Sequence, residues 1–215
     1  MALPETKPDR LSAFSDAVFA VIITILVLEL KPPRSASFAA LVSLWPTAVS
    51  YAVSYLFIAI VWVNHHHLFR YADVATSRLI WANFAHLFTV SLIPFSTAWI
   101  AQTDLAAVPV SLYAGVFVLV NATYNLLWME AIDRSQSNLP PRAQMMMRIR
   151  SLVTLGLFAL AAVVALKYPI GGMGLICLCL IVYLRPEAPD LKSKPDRSNE
   201  DGSGLSPTGL AGPTK

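Results

Sequence analysis

The chain alternates between long apolar runs and short polar breaks. Six runs stand out, at about 11–30, 38–63, 79–100, 110–132, 149–166 and 170–184. Most approach the roughly 20 helical residues needed to cross a ~30 Å hydrocarbon core. Lys31-Pro32-Pro33 ends the first run, because proline lacks an amide hydrogen and disfavours helix in the residue before it. Lys167-Tyr168-Pro169 is all that separates the last two. Pro46 and Pro94 lie inside runs, where neighbouring helices can satisfy the freed carbonyls. The pattern predicts an all-α membrane protein with six transmembrane helices per subunit.

Composition strengthens this reading. Of 215 residues, 56% are apolar and 13% charged, against roughly a quarter charged in a soluble domain. Placing the N-terminus in the cytoplasm puts Lys7, Arg10, Arg70, Arg78, Arg134, Arg142, Arg148, Arg150, Arg185, Lys192, Lys194, Arg197 and Lys215 on that side. Only Lys31, Arg34 and Lys167 then fall outside. Thirteen basic residues against three predict that both termini are cytoplasmic. A cysteine introduced at Gln102 should therefore react with an impermeant reagent in intact cells, and one at Ser203 should be protected; the reverse pattern would invert the topology.

The expected organisation is a cytoplasmic N-terminal segment at 1–9, a transmembrane domain at 10–184 and a cytoplasmic tail at 185–215. The tail is rich in proline, serine, glycine and mixed charge, and is expected to be disordered. Lys7 and Arg10 before the first run, with Ala36-Ser37-Phe38-Ala39 after it, resemble a signal peptide. Asp9, Asp16 and the length of the run favour a retained helix. A pI near 9 does not imply nucleic acid, because the basic residues lie in short loops beside apolar runs. Cys177 and Cys179, two apart on a helix, cannot bridge each other and read as apolar filler.

Asp16 is the most conspicuous ionisable residue inside a run, since burying a carboxylate in a span costs about 2.5–3.5 kcal/mol on insertion scales. It lies about 7.5 Å into the membrane from Leu11 at 1.5 Å per residue. Asn64-His65-His66-His67 at the end of the second run, and Asn83 and His86 at the start of the third, lie at a similar depth. Ser15, Asp16, His65, His66, His67, Asn83 and His86 are therefore expected to form one polar cluster between the first three helices. Such a cluster serves either as structural glue or as a proton relay. Three consecutive histidines point 100° apart and cannot converge on one ion, so no metal or other cofactor is expected. No nucleophile or paired-carboxylate constellation appears in the spans, which argues against an enzyme.

At 100° per residue, Arg10, Phe14, Ala17, Val21, Thr24 and Leu28 form a stripe about 80° wide along the first helix. Asp16, with Ala20, Ile23 and Val27, points away from it and is expected to pack into the subunit, Ala20 permitting close approach. Thr24 is expected to bond to the carbonyl of Ala20.

The string Arg10-Leu-Ser-Ala-Phe14-Ser15-Asp16 resembles the Arg-x-x-x-Phe-Ser-Asp signature of the transmembrane protein 175 family of potassium channels. Trp62-Val-Asn64-His65-His66-His67-Leu-Phe69, and Asn83 through Leu92-Ile93-Pro94-Phe95-Ser-Thr97, are similar to bacterial members. The resemblance covers about 10–184, with 110–184 matching only in general character. It implies a six-helix subunit of a homotetramer in a bacterial cytoplasmic membrane; animal members join two such repeats and dimerise. It further implies a pore lined by the first helix of each subunit, without the usual Thr-Val-Gly-Tyr-Gly filter.

The family narrows its pore with bulky apolar side chains just past the signature. That ring falls on Val21, with Thr24 and Leu28 above it. Family constrictions are commonly isoleucine or leucine; valine is a methylene smaller, which implies a wider and less selective opening. Arg10 and Asp16 would hold the helix in place rather than conduct. Glu29 near the outer mouth would either concentrate cations or stand as an interfacial residue. The expected partners are potassium and other monovalent cations, the lipid bilayer and three further copies of the chain. The competing expectation is a secondary transporter coupled to protons through Asp16 and the histidines, although no half-to-half repeat accompanies it.

Overall fold

The computed structural model describes residues 8–72, 74–132 and 141–183. Eight helices account for nearly all of them: α1 (Pro8–Leu28), α2 (Phe38–Val42), α3 (Trp45–Phe69), α4 (Ser77–Ser91), α5 (Ile93–Gln102), α6 (Ala107–Ile132), α7 (Pro141–Ala165) and α8 (Pro169–Tyr183). No strand occurs among the described residues. Five segments are long and apolar enough to cross a membrane, α4 and α5 together forming one of them, and α8 is a shorter apolar helix. The chain is a multi-pass membrane protein. The tail expected at 185–215 lies outside the described residues, as do residues 1–7 of the N-terminal segment. Pro8 and Asp9 already belong to α1, where a missing amide and a carboxylate both suit the first turn.

Prolines set the interruptions. The run at 38–63 is two helices, because Pro46 occupies the first turn of α3, where its missing amide costs no hydrogen bond. Pro94 does the same for α5, and Leu92 between α4 and α5 donates to the Thr89 carbonyl at 3.2 Å. The hydroxyls of Ser96 and Thr97 both donate to the Ile93 carbonyl, at 2.9 and 2.7 Å. Beyond Val63 nothing stops α3, and the histidine triplet continues it to Phe69.

The core lies between α3, α6, α7 and α8, with α1 and α5 packed onto it. Phe57 and Phe117 stack with ring centroids 3.6 Å apart, and Phe158 meets both edge-on. In the apolar interior Ser54 shares hydroxyl hydrogen bonds of 2.6 Å with Thr97 and with Tyr113, which ties α3 to α5 and α6.

The α7–α8 hairpin closes on Gly172. A Cβ there would lie 2.6 Å from the Ala165 Cβ and 3.0 Å from the Ala161 carbonyl oxygen. Both neighbours are fixed helix atoms and cannot yield as a flexible side chain would. Gly172→Val should therefore force the helices apart and cost about 1–3 kcal/mol by overpacking. Gly174→Ala, where no atom lies within 4 Å, should be harmless. Thermal unfolding of the purified protein in detergent measures the contrast, and equal melting temperatures for the two variants would refute the close approach.

Candidate functional site

Helix α1 lies at the edge of the subunit, against α3, α4 and α5. Its buried residues are Ser15, Phe19, Ile22 and Leu26, which repeat at the i, i+3, i+4 spacing of one helical face. This corrects the packing face expected around Asp16, of which Ile23 alone packs against the core. Ala20 is exposed, and Val27 is 49% exposed. The side chains that enter the core are the larger Phe19, Ile22 and Leu26, which bury more apolar surface than alanine could.

The stripe expected from periodicity runs along the uncovered side. Arg10, Phe14, Ala17, Val21, Thr24 and Leu28 are all exposed in the subunit, Val21 at 56% and Leu28 at 73%. At 100° per residue the centre of the stripe lies about 150° round the helix from the centre of the buried face. Thr24 donates to the Val21 carbonyl at 2.8 Å rather than to Ala20, so its hydroxyl hydrogen is already committed. Its oxygen remains on the stripe. Glu29, half-buried, follows the last turn of α1.

The polar residues lie near one another but do not form one hydrogen-bonded network. Ser15, His65 and Asn83 are fully buried and meet between α1, α3 and α4. The Asn83 amide nitrogen donates to the Ser15 hydroxyl at 2.9 Å, and its oxygen lies 2.8 Å from His65 Nε2. The Ser15 hydroxyl in turn donates to the Leu11 carbonyl at 2.9 Å. With the Asn83 oxygen as acceptor, His65 carries its hydrogen on Nε2, and Nδ1 is left bare. Nδ1 has no hydrogen-bond partner among the described residues.

His86 belongs to a second group. Its Nδ1 lies 3.2 Å from the Thr123 hydroxyl, which is 2.9 Å from that of Thr89. The His65 and His86 rings are nearly parallel, 5.9 Å apart, and Phe19 of α1 packs against both. The aromatic surface of Phe19 thus joins the two polar groups without a hydrogen bond between them.

Asp16 hydrogen-bonds to none of these; its carboxylate accepts a 2.8 Å hydrogen bond from the Trp62 indole, whose ring lies 5.7 Å from that of His66, and its charge acts on nearby His65. Ser15 and Asp16 are consecutive, so they point about 100° apart, and only Ser15 faces inward. The same rule disperses the triplet, since His65 is buried while His66 and His67 are exposed. Arg10 is exposed at the start of α1. Trp62, Thr89 and Thr123 received no role from the sequence. Trp62 sits one turn before the histidines, at the depth of Asp16, and matching indole donors to that depth would have found it.

Residues 10–94 match the family model described as the endosomal/lysosomal potassium channel TMEM175. That stretch holds both the stripe and the Ser15–Asn83–His65 group. A potassium channel of a Chryseobacterium species is 33% identical over 178 residues, covering 83% of this chain and 93% of its own length. A potassium channel of Chamaesiphon minutus is 35% identical over 136 residues, 59% of this chain and 67% of that one. The crystal structure of a lysosomal potassium-selective channel TMEM175 homolog from the same organism superposes with a TM-score of 0.73 at 30% identity. It covers 82% of this chain and 95% of that one.

Proposed function

The chain belongs to the TMEM175 family, and from that premise we propose that it is a passive, potassium-preferring cation channel. The family consists of ion channels rather than enzymes. The pore is lined by α1 of each subunit in a homotetramer, and its narrowest ring is formed by Val21. Thr24 and Leu28 line the wider section beyond it, and Glu29 contributes negative charge at the outer mouth. Both ends of the chain lie in the cytoplasm.

The observation that carries this reading is the exposed stripe itself. Val21 and Leu28 stand uncovered almost opposite the face that α1 buries, and Phe14, half-exposed, meets Phe84 of α4 edge-on. Copies of α1 arranged around an axis would turn such a face toward one another and leave the packing face undisturbed. Val21 lies about 15 Å along the helix from Leu11, near the midplane of a ~30 Å core. An apolar ring at that depth excludes water when narrow and conducts when the helices part. The Ser15–Asn83–His65 group supports the arrangement from behind, because it fixes α1 to α3 and α4 nearly two turns before the ring.

Reversal potentials of the purified protein in planar bilayers, under opposed potassium and sodium gradients, test the proposal. Stepwise currents that reverse toward the potassium potential are expected. Slow flux that requires a proton gradient, without unitary steps, would reject the channel in favour of coupled transport.

A further inference from the structure

The groove between α4 and α6 opens at the end of the bundle where α4 begins and α6 finishes. Ser77, Arg78, Trp81, Ala82, Leu126 and Glu130 line a volume of about 340 Å³, within the range of small-ligand clefts. Arg78 is the second residue of α4, and Glu130 the third from the end of α6. The spans they belong to, Ser77–Gln102 and Ala107–Ile132, have 26 residues each, or about 39 Å at 1.5 Å per residue. This exceeds a hydrocarbon core of ~30 Å by roughly 4–5 Å at each end, so both charges fall in the headgroup layer. Trp81, one turn deeper, is 72% exposed, as befits an interfacial indole. Below it Phe84 and Leu126 present exposed apolar surface.

Neither Arg78 nor Glu130 has a hydrogen-bond or ion-pair partner among the described residues. An anionic ligand alone would meet the Glu130 carboxylate, and a cationic one alone would meet the Arg78 guanidinium. A ligand that carries both signs a few bonds apart satisfies the pair. We propose that this groove binds the zwitterionic headgroup of phosphatidylethanolamine. Arg78 takes the phosphate through its forked N–H donors, Glu130 accepts from the primary ammonium, and Trp81 flanks the glycerol end of the chains. Phosphatidylcholine, whose ammonium has no N–H to donate, fits less well.

Native mass spectrometry of the full-length protein, titrated with phosphatidylethanolamine, phosphatidylcholine and phosphatidylglycerol, tests the site. Phosphatidylethanolamine should be retained best, and Arg78→Gln should weaken its retention by about tenfold. Glu130→Gln should lose the preference for phosphatidylethanolamine over phosphatidylglycerol, because the repulsion of an anionic headgroup disappears with the carboxylate. That preference is a ratio within one sample and decides the matter even if Arg78→Gln folds poorly. Equal retention of all three lipids by the unaltered protein, or an unchanged preference in Glu130→Gln, would overturn the proposal. So would loss of the assembled species together with lipid in both variants, since the groove would then be a subunit boundary.

Discussion

Val21→Asn should raise unitary conductance several-fold and reduce discrimination between potassium and sodium. In the proposed tetrameric pore, four amides in place of four isopropyl groups would hydrate the narrowest ring, and an apolar barrier that depends on excluding water would be lost. Val21→Leu should lower conductance, because the added methylene narrows the same opening. The informative control is the adjacent residue. Ile22 is only 4% exposed and belongs to the packed face. Ile22→Asn should bury an unpaired amide in the core and reduce the yield of folded protein rather than alter selectivity. Both substitutions place the same side chain on the same helix, one position and about 100° apart. Single-channel recording in symmetrical and bi-ionic solutions reads the first effect, and size-exclusion yield reads the second. Unchanged conductance and selectivity in a well-assembled Val21→Asn protein would remove Val21 from the pore.

The fold was largely legible because a membrane span leaves a long, uninterrupted trace in the sequence. Five of the predicted runs correspond to helices able to cross, with α8 shorter than the rest. What the runs concealed was the local effect of proline. Pro46 and Pro94 read as residues inside continuous runs, yet each begins a new helix, since proline is best tolerated where the helix has no amide bond to lose. The α1 stripe was also legible, since periodicity defines which residues share a face.

Periodicity does not say which face meets the core. Asp16 drew attention as the costly group and suggested an inward direction, whereas the helix buries its neighbour Ser15 and leaves Asp16 to the Trp62 indole. A carboxylate near the membrane boundary can retain water or one donor at the edge of the subunit, so it need not turn inward. The division of the polar residues into two groups depends on which turn of α6 faces α4. Thr123 supplies the partner of His86, and no pattern within the first three spans contains that information.

Asn83→Ala should be the most destabilising of the polar-group substitutions. Asn83 is the only residue of its group that bonds both to α1, through Ser15, and to α3, through His65. Its removal would leave the His65 Nε2–H without an acceptor in a fully buried site, where Nδ1 already has no partner among the described residues. Ser15 could still donate to the Leu11 carbonyl, so it loses one bond and is not stranded. A buried donor left unsatisfied costs about 1–3 kcal/mol, and the cavity left by the amide adds to that, for about 2–4 kcal/mol per subunit in all. Ser15→Ala strands an Asn83 N–H but should cost less, because Asn83 would keep its bond to His65 and the cavity left is smaller. His66→Ala, at an exposed position in the same triplet, should leave stability unchanged. Thermal unfolding in detergent would rank the three variants, with assembly state followed by light scattering. If Asn83→Ala melts with the unaltered protein while His66→Ala melts early, the histidine that anchors α3 to α1 is not His65, and the inward register assigned to the triplet is wrong.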